Sequence, residues 1–145
     1  MNITATIKSH YHLHDKYGII PEINIGKARH VFLIVLDGMG VNILDKHLNK
    51  KSFLKRHKIK DITSIFPPTT VSATTTLISG KLPGETGWIG WNQYFSEIDH
   101  HVVLFRNQDY YTNELLSPEN IKKNTISTII EICKCKNIFV ISKFY

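Results

Sequence analysis

Cysteine is scarce in this 145-residue sequence, which has only Cys133 and Cys135, separated by one lysine. Cysteines this close in sequence cannot reach disulfide geometry without strain, and a lone Cys-x-Cys is a weak metal signal. We therefore expect two reduced thiols on a helix, and no disulfide framework.

Long apolar runs are also absent. The first thirty residues contain no signal-peptide core, and no stretch approaches the ~18 apolar residues that a membrane helix needs. Gly38 and Gly40 form neither a G-x-G-x-x-G motif nor a P-loop, which argues against dinucleotide binding. These absences favour a cytoplasmic protein with no membrane partner.

The net charge of +6 is concentrated in the Lys46–Lys60 stretch, which contains seven lysine and arginine residues. Such a stretch could bind nucleic acid. Base stacking would need interleaved aromatic residues, however, and Phe53 is the only one there. We therefore favour a solvated helix face and loop, with no specific nucleic-acid partner. The positive charge also suits an anionic, phosphate-bearing substrate.

Residues 1–28 are weakly patterned and are predicted to form an N-terminal arm. His10, His12 and His14 alternate, so an extended chain would place them on one face, where they could ligate a metal. No further ligand lies nearby in the sequence, and we favour a polar strand or loose arm over a metal site.

Residues 29–145 show the alternation of strands and helices that is typical of an α/β fold. "HVFLIVLD" (His30–Asp37) predicts a strand buried on both faces, and a helix follows Gly40. "DITSIF" (Asp61–Phe66) predicts a second strand, which Pro67-Pro68 ends. The threonine-rich run up to Ser79 predicts a helix that Gly80 closes.

The remaining elements are predicted from weaker patterns. A hairpin would join Tyr94–Ile98 to His101–Phe105, a helix would lie near Thr125–Lys134, and Asn137–Ser142 would form a third buried strand. Because a parallel sheet needs covering helices, the sequence resembles the N-terminal portion of a larger domain.

Two sets of polar residues fall where the predicted strands end. Asp37 follows the first strand, and Thr69 and Thr70 follow the second, where a helix begins. Ligands of open α/β sheets bind outside the carboxyl ends of the strands, and a helix N-terminus favours phosphate or an alkoxide. A turn with Gly38 and a simple helix cap remain the structural alternatives for Asp37 and for the threonines.

Threonine needs activation before it can act as a nucleophile. No Ser-His-Asp pattern is evident, but a carboxylate from the neighbouring strand could hold a divalent metal against the threonine oxygen. A phosphoaspartate hydrolase would usually have a second aspartate two residues after Asp37, and that position is Met39. Phosphoryl transfer to a threonine is therefore the favoured chemistry.

"VFLIVLDGMG" followed by "SIFPPTTVSATTTLISGKLPGETGWIGW" resembles the alkaline phosphatase superfamily, and its type I phosphodiesterase and nucleotide pyrophosphatase branch most closely. The resemblance spans roughly Val31 to Phe95. It implies a mostly parallel sheet flanked by helices, two divalent metal ions, zinc by analogy, and a phosphoester or nucleotide substrate. This would make residues 29–145 the N-terminal portion of an alkaline-phosphatase-like domain.

The resemblance also implies roles for individual residues. Asp37 matches the first metal ligand, and Thr70 matches the nucleophile, which is itself a metal ligand, with Thr69 as the adjacent register. Asn92 lies near the position of a phosphate-binding residue, although Trp91 is an alternative for that position.

Two departures from the family pattern bear on whether this chain alone is an active enzyme. Thr86 stands where relatives usually have histidine, and no later aspartate and histidine ligands occur before Tyr145; His100 and His101 do not match them. We therefore expect that this chain alone is not a competent enzyme and that a C-terminal half supplies the rest of the site. The alternative is a non-catalytic fragment, or a remnant that binds phosphate or nucleotide.

Overall fold

The computed structural model describes residues 1–117 and 138–143. In chain order the helices and strands are α1 (Asn2–His10), β1 (Val31–Leu36), α2 (Val41–His47), α3 (Phe53–Arg56), α4 (Thr70–Ser79), α5 (Pro83–Thr86), β2 (Asn92–Phe95), β3 (His100–Val103), β4 (Gln108–Asp109) and β5 (Ile138–Lys143). A 3₁₀ turn at Leu104–Arg106 links β3 to β4. The mixture of helices and strands fits the predicted α/β class.

Strands β1 and β5 form a parallel pair, with Val31 opposite Ile138 and Leu36 opposite Lys143. Both strands were predicted from continuous apolar runs. The side chains of β1 alternate between half-buried and exposed. In the described residues this pair is the only parallel pairing, so the expected mostly parallel sheet flanked by helices is not what this part of the chain forms.

The second sheet is antiparallel, with strand order β2-β3-β4. Its first hairpin is the predicted one with shifted ends: Phe95 pairs with His100, and Asn92 pairs with Val103. The connecting turn ends at Asp99, which has a positive φ of 53° and accepts a hydrogen bond from the Tyr94 hydroxyl at 2.7 Å.

The predicted second strand at Asp61–Phe66 is wrong, because these residues are not in a strand. β1 pairs with β5 instead, and no ladder forms to this segment. Ile62, Ile65 and Phe66 line a cavity beside α4 rather than joining a sheet. All six residues of the segment line this cavity, polar and apolar alike, so the apolar alternation corresponds neither to strand pairing nor to a one-sided contact.

The N-terminal residues are not extended either, since residues 2–10 form α1. Thr4 is fully buried, and its hydroxyl donates to the carbonyl oxygen of Leu77 on α4 at 2.8 Å. His10 ends α1, and a ring nitrogen lies 3.0 Å from the carbonyl oxygen of Ala28. His12 has a positive φ of 58°, so the three histidines do not share one face of an extended segment.

Helix α4 occupies the predicted position and ends at the predicted residue. Gly80 adopts a left-handed φ of 68° and closes the helix, as the sequence pattern indicated. A Cβ on Gly80 would lie 3.0 Å from the Thr4 side chain of α1. Glycine is thus required here both by backbone conformation and by the close packing of α1.

The main apolar core joins α4 to the antiparallel sheet. It consists of Val71, Trp88, Val102 and Leu104, with Phe95, Ile98, Phe105 and Leu116 packed around it. Val71 is the second residue of α4, and Val102 lies at the centre of β3. The core therefore fixes the start of the helix against the sheet.

Other predictions fall outside the described residues. They are the helix near Thr125–Lys134 and the reduced state of both cysteines. Among the helices that the structure describes, none is long and apolar enough to cross a membrane.

Asp109 holds the edge of the antiparallel sheet. One carboxylate oxygen accepts the N–H groups of Tyr111 and Thr112 at 2.8 Å, and the other lies 2.8 Å from Nδ1 of His100. Together these bonds lower the pKa of Asp109 to about 2. The bond from the Thr112 N–H has the largest effect, and the bond from His100 follows it. The carboxylate is charged at neutral pH and pins the turn after β4 to β3.

We expect Asp109→Asn to lower the melting temperature. The pKa of Asp109 is depressed in the folded state, so its contribution to stability is complete above the unfolded pKa of about 3.9 and is lost as the pH falls towards 2. The difference in melting temperature between the natural protein and the variant should therefore be largest above pH 5 and shrink below pH 4. Calorimetric scans from pH 7 to pH 2.5 measure it. A difference that stays constant across this range would contradict the assignment.

Candidate functional site

Thr69 caps helix α4. Its side-chain oxygen accepts the backbone N–H of Ser72 at 3.3 Å, in the manner of an N-cap threonine. The Ser72 hydroxyl donates to the carbonyl oxygen of Pro67 at 2.6 Å, which leaves its oxygen to accept from the Thr69 hydroxyl at 2.7 Å. The Thr69 hydroxyl is therefore committed to the structure of the helix start.

Thr70 is the first residue of α4, and its hydroxyl, unlike that of Thr69, is not used by the helix cap. It is half-buried, and within the described residues its hydroxyl makes no hydrogen bond. The backbone N–H of Thr70 also has no acceptor there, as expected for the first turn of a helix. A free hydroxyl thus lies beside an unpaired N–H at the positive end of a ten-residue helix.

Asp37 follows the last residue of β1 and is exposed. Its carboxylate accepts the N–H of Gly38 at 2.9 Å, and Gly38 has the positive φ of 67° that the tight turn requires. In the described part of the chain no hydrogen bond joins Asp37 to Thr69, Thr70 or Asn92. Apart from the bond to Gly38, the Asp37 carboxylate makes no hydrogen bond within the described residues and is open to solvent.

A single cavity of about 860 Å³ connects the end of β1 with helix α4. Leu36 and Met39, which flank Asp37 in sequence, line it together with Phe66. Ala73 and Leu77, one and two turns along the helix from Thr70, line the same cavity. The structure therefore places residues next to Asp37 and residues of the helix that Thr70 begins around one space. Asp37 and Thr70 themselves do not line this cavity, and their side chains make no direct contact.

Asn92 begins β2, next to the loop that faces the helix start. The carbonyl oxygen of Ile89 lies 3.4 Å from the Thr69 hydroxyl, so this loop contacts the cap. Gln93 braces the loop by donating to the Gly87 carbonyl oxygen at 2.7 Å and accepting the Ile89 N–H at 3.2 Å. The Asn92 side chain is exposed, and strand alternation puts it on the sheet face opposite Phe95, which packs on the core.

The described residues do not provide a complete metal site. They contain no group of three or more histidine, cysteine, aspartate or glutamate side chains that could hold an ion. Catalytic zinc sites use three protein ligands as a rule, so one carboxylate and one hydroxyl from these residues do not suffice. Any metal would need ligands from elsewhere.

The sequence pattern did not single out Ser72 as a residue of the helix start. Ser72 is fully buried and joins Thr69 to Pro67 through its hydroxyl. The signal was the Thr-x-x-Ser spacing, which places a second hydroxyl one turn after the cap, where it can face the cap side chain.

The family model for type I phosphodiesterase / nucleotide pyrophosphatase matches residues 31–135, which include β1, helix α4 and the antiparallel sheet β2-β3-β4. The chain belongs to that family, and the resemblance in its motifs is confirmed. No curated protein and no solved structure matches the chain.

We expect Thr69→Ala to destabilise the fold by about 1 kcal/mol, since it removes the side chain that caps α4. Thr69→Ser should recover most of that loss because serine caps equally well. Urea unfolding of the two variants and the natural protein measures the difference. If Thr69→Ala were neutral, the hydrogen bonds at the helix start would not contribute to stability.

Proposed function

We propose that this chain carries the nucleophile of a phosphoester hydrolase and that the nucleophile is Thr70. The family acts on phosphoester and nucleotide substrates, so hydrolysis of this type is the expected reaction class. The observation that supports Thr70 is the division of roles at the helix start: the Thr69 hydroxyl is used by the cap, and the Thr70 hydroxyl is free.

In the proposed reaction the Thr70 oxygen attacks phosphorus in line with the leaving group. A bond forms between this oxygen and phosphorus, and the bond to the ester oxygen breaks with its electron pair. The hydroxyl proton passes to a base in the solvent. Water then hydrolyses the phosphothreonine and restores the hydroxyl. Covalent catalysis divides one difficult step into two easier ones.

The chain's own groups at the helix start favour this reaction. The unpaired N–H of Thr70 and the positive end of the α4 dipole both stabilise negative charge on phosphate oxygens. Asn92, whose amide is free of hydrogen bonds in the described residues, is the proposed ligand of a phosphate oxygen. The Ile89 contact keeps its loop beside the cap.

The family is generally metal-dependent. We infer that Asp37 and Thr70 contribute to a site for two divalent ions, zinc by family analogy, and that the other ligands come from beyond the described residues. Such ions lower the pKa of a bound hydroxyl and neutralise phosphate charge. No reaction step is derived through them, since the described ligand set is incomplete.

The proposal also includes a larger parallel sheet and a cytoplasmic location for the protein. The parallel β1–β5 pair would be the start of an alkaline-phosphatase-like sheet, which residues 29–145 begin and a C-terminal half completes. A pair of parallel strands is too small to be stable alone, which supports a larger sheet. Residues 1–28 would form an N-terminal arm that packs on α4 through Thr4, and the protein would work in the cytoplasm.

One observation favours a second function. Because the described residues lack a set of three metal ligands, the chain could bind phosphate or nucleotide at the α4 start without hydrolysing it. Weak phosphate binding with no turnover in the presence of zinc would support this non-catalytic role.

Thr70→Ala tests the nucleophile directly. In the protein that the full coding region encodes, with zinc supplied, we expect hydrolysis of bis-p-nitrophenyl phosphate to fall by roughly a thousandfold or more, because the covalent route is lost. Circular dichroism should remain unchanged, since the Thr70 hydroxyl bonds to nothing in the described fold.

Ser96→Ala is the matched control, because it removes an exposed hydroxyl that does not line the cavity and makes only a long hydrogen bond of 3.4 Å to Glu97. It should keep full activity, and Thr70→Ser should keep part of it. If Thr70→Ala retained full zinc-dependent activity, Thr70 could not be the nucleophile.

Asp37→Asn tests the metal ligand by a binding measurement that does not depend on turnover. We expect zinc affinity, measured by competition with a chromophoric chelator, to fall by about tenfold or more, because a charged ligand is replaced by a neutral one. Asp45→Asn, which alters another exposed aspartate that does not line the cavity, is the control and should bind zinc normally. Equal affinity of the two variants would remove Asp37 from the site.

A further inference from the structure

The side chain of Gln93 holds both ends of the short loop between α5 and β2. Its Nε2 donates to the carbonyl oxygen of Gly87 at 2.7 Å, and its Oε1 accepts the N–H of Ile89 at 3.2 Å. Within the described residues these two backbone groups have no other hydrogen-bond partner. One side-chain amide therefore ties the loop together, and we call this pair of bonds the Gln93 brace.

The braced loop meets the residues on both sides of Thr70. The carbonyl oxygen of Ile89 lies 3.4 Å from the Thr69 hydroxyl. Trp88, which lies between the two braced residues, is 6% exposed and belongs to the same core cluster as Val71. Thr69 precedes Thr70 and Val71 follows it, so the position of the loop and the position of the first turn of α4 depend on each other.

Glycine residues flank the loop and give its backbone a freedom that the Gln93 brace removes. Gly87 has a left-handed φ of 70°, and Gly90 follows Ile89 directly. Glycine has the widest choice of backbone conformations, so a segment between two glycines has many alternatives to the observed path. Gln93 acts from a fixed support, because it pairs with the fully buried Val102 in the β2–β3 ladder.

We propose that Gln93 is a positioning residue for the Thr70 hydroxyl in the hydrolysis reaction. The Gln93 brace holds Trp88 and Ile89 against the helix start and so fixes the direction from which the Thr70 oxygen approaches phosphorus. Gln93 acts through the loop and not by contact with the substrate. Displacing a reacting group by about 1 Å costs on the order of a hundredfold in rate. This inference rests on the proposed function, because it needs Thr70 to be the nucleophile.

Gln108 is the matched control for Gln93. It is another half-buried glutamine of the same sheet, on β4 at the edge opposite β2, and its Nε2 donates to the carbonyl oxygen of Asn113 at 2.6 Å. In the part of the chain that the structure describes, no hydrogen bond joins Gln108 to the start of α4. A glutamine that only stabilises the fold would behave like Gln108, and a positioning residue would not.

Gln93→Met and Gln108→Met each remove an amide and keep the length of the side chain. In the protein that the full coding region encodes, with zinc supplied, we expect Gln93→Met to lower kcat for bis-p-nitrophenyl phosphate by about tenfold or more. KM should change by less than about twofold, because the direction of attack affects the transition state more than the bound substrate. Gln108→Met should keep kcat within about twofold of that of the natural protein. Urea unfolding verifies that both variants are folded under the assay conditions.

Gln93→Glu gives a readout that depends on the brace itself. A neutral carboxylic acid donates one O–H and accepts with its other oxygen, so it can replace the amide, whereas a carboxylate cannot donate to the Gly87 carbonyl oxygen. The ordinary pKa of glutamate is about 4.3, so the neutral fraction grows as the pH falls. The kcat of Gln93→Glu relative to that of the natural protein should therefore be lowest at pH 8 and rise towards pH 5. This variant also keeps the test decisive if Gln93→Met fails to fold.

Four results would overturn the proposal. They are full kcat in Gln93→Met, equal losses of kcat in the two methionine variants, a higher KM with unchanged kcat in Gln93→Met, and a relative kcat of Gln93→Glu that does not change with pH. Thr70→Ala, measured beside them, separates this inference from the proposed function. An inactive Thr70→Ala with a fully active Gln93→Met refutes only the role of Gln93. An active Thr70→Ala refutes the nucleophile, and the role of Gln93 with it.

Discussion

The start of helix α4 depends on the hydrogen bond between the hydroxyls of Thr69 and Ser72. Ser72 is held by the carbonyl oxygen of Pro67, and Thr69 in turn holds the N–H of Ser72. Each residue of a helix is rotated by about 100° from the one before it, so neighbours point in different directions. Thr69 therefore caps the helix, the Thr70 hydroxyl is left without a hydrogen bond in the described residues, and Val71 enters the core. Capping and core packing thus use different residues of the helix start, and neither uses the Thr70 hydroxyl.

This arrangement makes the antiparallel sheet a support for the helix start. Val102 of β3 and Leu104 pack with Val71, and the Ile89 carbonyl oxygen approaches the Thr69 hydroxyl. Asp109 keeps β3 and the turn after β4 together from the far edge. The sheet contributes no titratable group to the hydroxyl of Thr70. Its effect is to hold the loop at Ile89, which precedes Asn92, beside the cap.

Local patterns were sufficient for the parts of the fold that local interactions determine. The strand at β1, the helix that ends at Gly80 and the hairpin before Val103 each follow from residues close in sequence. The Asp61–Phe66 strand failed because pairing needs a partner, and a sequence pattern does not say which strand is available. Helix α1 was missed because its burial uses hydroxyls: Thr6 bonds to Asn2 and Ile20, and no apolar period reveals such contacts.

The candidate site was predictable to the same extent. The motif indicated Asp37, Thr69 and Thr70, but only the structure shows that the Thr69 hydroxyl is used by the helix cap and that the Thr70 hydroxyl is not. A complete set of ligands for a metal could not be predicted from local patterns, because metal sites join residues that are distant in sequence. The sequence also did not decide between Asn92 and Trp91 as the match to the family's phosphate-binding position. A shift of one residue along a strand moves every side chain to the other face of the sheet, so the register must be known exactly.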